Sequence, residues 1–218
     1  MIAWTETTGS LDFQTVRAAY SQGKLTPTHL VEIVYQRIAK RGEDEPAWIH
    51  LVKREDALKR AAEVERDGDP SAPLYGIPFA LKDNFDVPGL PTTCGCPATR
   101  YIAEGTGPAV QRLIDAGGIL IGKTNMDQFA VGLVGARSPY GSCSSVFNDD
   151  YISGGSSSGS AVVVAAGLVS FALGNDAAGS GRVPAAFNNI VGLKPTAGLI
   201  SNSAVSGGGN VKLIETIS

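Results

Sequence analysis

Gly76-Ile77-Pro78-Phe79-Ala80-Leu81-Lys82-Asp83-Asn84 is where the chain changes character. Ile77 to Leu81 is a short apolar run closed by a single lysine, the pattern of a buried strand. Downstream, a helix near residues 107–116 leads through Gly117-Gly118 into Ile119-Leu120-Ile121. Another near 158–168 leads into Val169-Ser170-Phe171-Ala172-Leu173. Strand-sized runs alternating with helices are the βαβ rhythm of an α/β fold, a sheet covered by helices.

Upstream the apolar spacing is helical. Residues 10–40 carry two helical patterns, the second opening at Thr26-Pro27, a hydroxyl N-cap followed by proline at the first helical position. Its apolar face is Leu30, Ile33, Val34 and Ile38. Residues 54–67, REDALKRAAEVERD, combine mixed charge with a thin apolar stripe and predict a surface helix. A Gly/Pro-rich loop, Asp67 to Pro73, follows. The chain therefore divides into an N-terminal helical region (1–70), a core (71–205), and a Gly-rich linker with a strand-sized tail (206–218). No internal repeat is visible.

With 218 residues, 43% apolar and 18% charged, the chain can bury a core as one domain or two small ones. A net charge of -3, a pI near 5.4 and the lack of any Lys/Arg run exclude nucleic acid and anionic membrane surfaces as expected partners. Met1-Ile2-Ala3-Trp4-Thr5-Glu6 lacks the features of a signal peptide, and no stretch reaches the roughly 18 apolar residues of a membrane span. The expected location is the cytoplasm. Cys94, Cys96 and Cys143, an odd number, read as reduced thiols. Cys94-Gly95-Cys96 has neither Cys-x-x-Cys spacing nor four ligands, so no metal site is expected.

Three segments could carry chemistry. Lys82, taken alone, reads as a side chain that snorkels to solvent past a buried strand; kept buried, it would lose its charge readily and serve as a base. Gly154-Gly155-Ser156-Ser157-Ser158-Gly159-Ser160 precedes the apolar run Ala161 to Ala166. Its close apolar flanks argue against a linker, and it lacks the Gly-Lys-Ser/Thr ending of a P-loop. Gly174-Asn175-Asp176-Ala177-Ala178-Gly179-Ser180-Gly181-Arg182-Val183-Pro184 is either an ordinary Gly-rich turn or a chain of N–H groups facing a carbonyl oxygen. It is not a Gly-x-Ser-x-Gly elbow. His29 and His50, the only histidines, both lie in the N-terminal region, which argues against a Ser-His-Asp triad.

In order, spacing and flanking sequence these three segments resemble the amidase signature family. The likeness runs from the helices near residue 10 to about residue 200, through the Gly-Ile-Pro-x-x-x-Lys-Asp block, the serine-rich loop, the Asp-x-x-Gly-Ser block and Gly192-Leu193-Lys194-Pro195-Thr196. The resemblance implies the N-terminal portion of that family's α/β fold, a mixed sheet covered by helices. It also implies a Lys-Ser-Ser triad: Lys82 as base, Ser156 in a cis peptide as bridge, and Ser180 as nucleophile toward an amide carbonyl. The 24-residue separation of Ser156 from Ser180 is that of the family's two serines, which selects Ser156 over Ser157 and Ser158. The N–H groups of Ala177, Ala178, Gly179 and Ser180 would hold the oxyanion, worth ~3 kcal/mol per donor. The implied partner is a small-molecule amide, with no cofactor and no metal. Asp86 to Cys94 and Ala178 to Asn189 look most like the allophanate hydrolase branch, which completes urea degradation.

Three departures stand beside the likeness. It fades near Val205, short of a complete domain. Asn175 and Ala177 occupy positions where threonine is usual, and losing a hydroxyl there removes a hydrogen bond worth about 1 kcal/mol. Gly207 to Ser218 does not match the family's continuation. The alternative reading is therefore a catalytically silent, truncated amidase-like fragment that acts as a binding or assembly module, with a homodimer hiding its sheet edge.

Overall fold

In the computed structural model, which describes residues 9–42, 45–206 and the backbone of 213–217, the run ending at Lys82 is a central strand. The elements in chain order are α1 (Phe13–Ser21), α2 (Pro27–Arg41), β1 (Trp48–Leu51), α3 (Arg54–Asp67), β2 (Pro78–Lys82), β3 (Pro91–Thr92) and β4 (Tyr101–Ile102). There follow α4 (Pro108–Asp115), β5 (Ile119–Thr124), β6 (Ser144–Ser145), β7 (Asn148–Ile152), α5 (Ser158–Ala165), β8 (Phe171–Asn175), α6 (Arg182–Phe187), β9 (Val191–Leu193) and β10 (Leu213–Ile217).

Six strands form one mixed sheet in the order β1-β5-β2-β8-β10-β9. β2 lies between β5 and β8 and is parallel to both, while β1 and β10 run antiparallel to their neighbours. All five residues of β2 are buried, which is why it reads as a continuous apolar run rather than an alternating one. The expected α/β fold with a mixed, helix-covered sheet is the one observed. The Gly-rich linker expected at Gly207 to Asn210 lies outside the described residues, as do Val211, Lys212 and Ser218; the segment between them is β10.

The helices obey the local rules. Thr26 caps α2, its side chain accepting from the His29 N–H, and the buried face is Leu30, Ile33, Val34 and Ile38 as expected, with Val31 added. α4 and α5 both end in a Schellman turn: the N–H of Gly118 reaches the Leu113 carbonyl, and that of Leu168 reaches Val163. Each turn needs a left-handed residue, which Gly117 (φ 95°) and Gly167 (φ 66°) supply. That turn stops α5 at Ala165, short of the expected 168, and starts β8 at Phe171.

β1 is among the elements the sequence reading missed. Four residues are too few for a period-two signal, and it forms because β5 offers an edge to pair with. The ring of Phe171 stacks on Phe79 at 5.4 Å and on Phe13 at 5.6 Å, so α1 shares the core of the sheet. Among the described residues, no helix is long and apolar enough to cross a membrane.

Candidate active site

β2 and β8 are parallel neighbours, with Leu81 opposite Leu173, so Lys82 and Asn175 close the two strands at the same edge of the sheet. The serine-rich segment approaches this edge as it enters α5. Ligand sites in sheets of this kind form where parallel strands end. Lys82 is wholly buried and does not snorkel. Its Nζ lies 2.7 Å from Ser156 Oγ and donates to Asn175 Oδ1. Burial pulls its pKa from 10.5 down to about 7, against the weaker upward pull of Asp127, Asp176 and Cys94.

The serine loop is held by its backbone. The Gly155–Ser156 peptide is cis. The Ser156 carbonyl accepts from the Asp127 N–H at 3.1 Å, and the Ser157 N–H donates to the Ser180 carbonyl at 2.9 Å, which ties this loop to the one bearing Ser180. Of the three adjacent serines, Ser156 is the one whose hydroxyl meets Lys82; those of Ser157 and Ser158 donate to the carbonyls of Asn175 and Asn125, each at 3.4 Å. A Cβ at Gly174 would stand 2.6 Å from Ser157 Oγ, so only glycine lets β8 lie this close to the loop. Behind the loop, the buried Asp127 carboxylate accepts from the N–H groups of Val134, Gly135 and Arg137.

Asp176 organises the segment that follows β8. Its buried carboxylate accepts from the N–H groups of Gly179 (2.7 Å), Gly181 (3.3 Å) and Arg182 (3.2 Å), from the Arg182 guanidinium, and from Lys194 Nζ (3.2 Å). Burial alone would raise its pKa, but the hydrogen bonds from Arg182, Gly179 and Gly181 outweigh it and hold the carboxyl well below the usual range. Ser180 is 6% exposed, and among the described residues its hydroxyl has no hydrogen-bond partner. The N–H groups of Ala177, Ala178 and Ser180 are likewise without partners among the described residues. Gly179, expected beside them as an oxyanion donor, differs: its N–H is taken by Asp176.

Sequence reasoning assigned no role to Asp176, Asp127 or the Lys82 contact of Asn175. For Asp176 the signal was present: a lone carboxylate at a strand end, with small residues and then Arg182 after it, can accept from the turn it starts. For Asp127 no local signal exists, because its partners come from residues 134–137. A second buried lysine, Lys123, lies 3.3 Å from Asp83 and donates to the Pro91 carbonyl and Thr92 Oγ1. Cys94, Cys96 and Cys143 are free; burial pushes the Cys94 thiol up to about 11 and the Cys143 thiol up to about 12.

A family model described as Amidase matches residues 29–214. The chain belongs to the amidase signature family. It is similar to the urea amidolyase of Lachancea kluyveri, 50% identical over 186 residues that make up 84% of this chain and 10% of that protein. Among solved structures it is similar to the allophanate hydrolase of Kluyveromyces lactis, with a TM-score of 0.86 and 43% identity over 99% of this chain and 35% of that one. The peptide amidase of Stenotrophomonas maltophilia superposes with a TM-score of 0.86 and 36% identity, over 95% of this chain and 45% of that one. The chain thus spans less than half the length of each of these relatives.

Proposed function

We propose that this chain carries the acyl-transfer machinery of a serine amidohydrolase, with Lys82, Ser156 and Ser180 as base, bridge and nucleophile. The observation that carries the reading is Lys82: a wholly buried amine, 2.7 Å from a serine hydroxyl, with no carboxylate hydrogen-bonded to it among the described residues. Such an amine is neutral at a cost far below that of an exposed one, and its lone pair can take a proton.

In the forward step Ser180 Oγ attacks the amide carbonyl while its proton passes to Ser156 and that of Ser156 passes to Lys82. The tetrahedral oxyanion is received by the unengaged N–H groups of Ala177, Ala178 and Ser180, held in place through Asp176. The proton on Lys82 returns through Ser156 to the leaving nitrogen, and water then hydrolyses the Ser180 ester. No histidine, metal or cofactor takes part. The likeness to allophanate hydrolase makes allophanate the first substrate to try and a small carboxamide the second. The three free thiols fit a reducing compartment such as the cytoplasm.

The test is a fluorophosphonate probe on the purified chain, with the adduct located by peptide mass spectrometry, followed by ammonia release from allophanate. An adduct on Ser180 supports the reading, and a folded chain that takes none overturns it. A second reading, that the chain is a silent assembly module, is favoured by one observation: Phe147, Tyr151, Phe187, Val191 and Leu193 are all exposed, the last two on the edge strand β9. A homodimer at native concentration that also takes no adduct would support that reading.

A further inference from the structure

Asn175 stands where threonine was expected, and its side chain, on a residue only 2% exposed, reaches Lys82. A neutral amine has two N–H groups and one lone pair, and only the lone pair can act as a base. The Oδ1 of an amide carries no hydrogen and can only accept. Its contact with Nζ must therefore be filled by a lysine N–H, whether the amine is charged or neutral. A threonine hydroxyl in the same place could rotate and donate into the lone pair, in competition with Ser156. The amide also adds no charge. The ionisable groups that bear on Lys82 are Asp127, Asp176 and Cys94, and the adjacent Asp83 is paired with Lys123. Of these, Asp127 and Asp176 accept hydrogen bonds from other groups.

We propose that Asn175 is a positioning residue whose amide oxygen holds one N–H of Lys82, so that the lone pair of the neutral amine faces the Ser156 hydroxyl. The Ser156 O–H then donates to Nζ across the 2.7 Å contact, and proton transfer along it leaves an ammonium with three N–H groups, the new one directed back at Ser156, one still held by Asn175 and one spare. This rests on the Lys82–Ser156–Ser180 reading above and concerns the geometry of its first step.

The experiment measures the rate of fluorophosphonate adduct formation at Ser180 against pH for the wild-type chain, Asn175→Leu, Asn175→Asp and Asn175→Thr. In parallel, Lys82 is titrated directly by NMR in the same full chains carrying 13C-labelled lysine, with Lys82→Arg assigning its signal. Asn175→Leu should lower the rate on the high-pH plateau by up to ~100-fold, the scale of a small misplacement of a reacting group, and should also move the midpoint to lower pH, because an acceptor on the amine favours its charged form. Asn175→Asp should move the midpoint up by about one unit or more, because a carboxylate favours the ammonium, and should recover most of the plateau. Asn175→Thr should fall between wild type and Asn175→Leu.

A plateau that drops in Asn175→Leu with no midpoint shift in any variant would mark a packing role only and overturn the proposal. So would an unaltered profile in all three. Should wild-type Ser180 take no adduct, the proposed function fails, while the NMR titration still decides the contact: a Lys82 midpoint indifferent to Asn175→Asp and Asn175→Leu overturns it.

Discussion

Lys82 and Lys123 occupy adjacent parallel strands, with Leu81 opposite Lys123 and Lys82 opposite Thr124, and neither side chain is exposed at all. They differ in company. Lys123 faces the Asp83 carboxylate at 3.3 Å and is further bound by the Pro91 carbonyl and Thr92. Lys82 faces a hydroxyl and an amide, while the carboxylates nearest in effect are engaged elsewhere, Asp127 by backbone N–H groups and Asp176 by Arg182 and Lys194. Burial lowers the pKa of both, and for Lys123 the attraction of Asp83 opposes it. One residue type at one depth in one sheet thus has two uses. A buried lysine beside a carboxylate keeps an ion-pair partner, and one beside neutral groups has nothing bonded to it that opposes the loss of its charge, which is what the proposed role of Lys82 as a base requires.

The widest separation between the two lysines should appear in activity. Lys82→Met and Ser180→Ala should each reduce amide hydrolysis by ~10⁴- to 10⁶-fold, as loss of a member of a catalytic triad does elsewhere. Ammonia release from allophanate measures it, and undiminished turnover in Ser180→Ala would falsify the mechanism. Stability should rank the lysines the other way. Lys123→Met leaves Asp83 buried without its cation, a loss of about 3 to 5 kcal/mol in urea unfolding. Lys82→Met orphans only neutral groups, the Asn175 acceptor and the Ser156 hydroxyl, about 1 to 3 kcal/mol. Equal losses in the two variants would erase the distinction.

The pH dependence follows from the same contrast. With a folded pKa of about 7 against an ordinary 10.5, Lys82 binds fewer protons in the native state than in the unfolded chain between those values. Stability should therefore rise as pH climbs from about 7 toward 10.5, and this contribution should be flat below about 7. Activity should rise through the same lower limit, since the base works when neutral. Unfolding curves of wild type and Lys82→Met across this range isolate the effect: the variant should lose that part of the rise.

Why these lysines could not be told apart in the sequence is instructive. Both follow strand-length apolar runs, Ile77 to Leu81 and Ile119 to Gly122, and the snorkelling expected of Lys82 from that pattern has no local feature to contradict it. What buries Lys82 is the arrival of Ser156 and Asn175, residues 74 and 93 positions away, and separations of that size leave no periodic trace. The parallel centre of the sheet was legible, because buried parallel strands and the helices between them leave local marks: β2, α4, β5, α5 and β8 follow from apolar runs and from Gly117-Gly118, whereas the stop that Gly167 sets to α5 and the strands β1 and β9 did not show. The catalytic assignment came through resemblance, from motifs whose order mattered more than any one of them. The engagement of the Gly179 N–H by Asp176 was hidden for a different reason, since a turn reveals its N–H groups but not which of them its own carboxylate takes.

The finest discrimination lies within the serine loop. Ser156→Ala removes the hydroxyl that meets Lys82, the proposed bridge to Ser180, and should approach the loss expected for Lys82→Met. Ser157→Ala removes a hydroxyl that donates to the Asn175 carbonyl over 3.4 Å, at the long end of hydrogen bonding, and keeps the Cβ that packs beside Gly174. Its effect should stay within about 1 kcal/mol of stability and ~10-fold in rate. The two serines have the same side chain and adjacent positions, so composition and local flexibility cannot separate them; only direction can, one hydroxyl pointing at an amine and the other at a carbonyl. If Ser157→Ala proved as damaging as Ser156→Ala, the relay would have to pass through the carbonyl of Asn175, which has no proton to move, and the assignment of Ser156 as the bridge would fall.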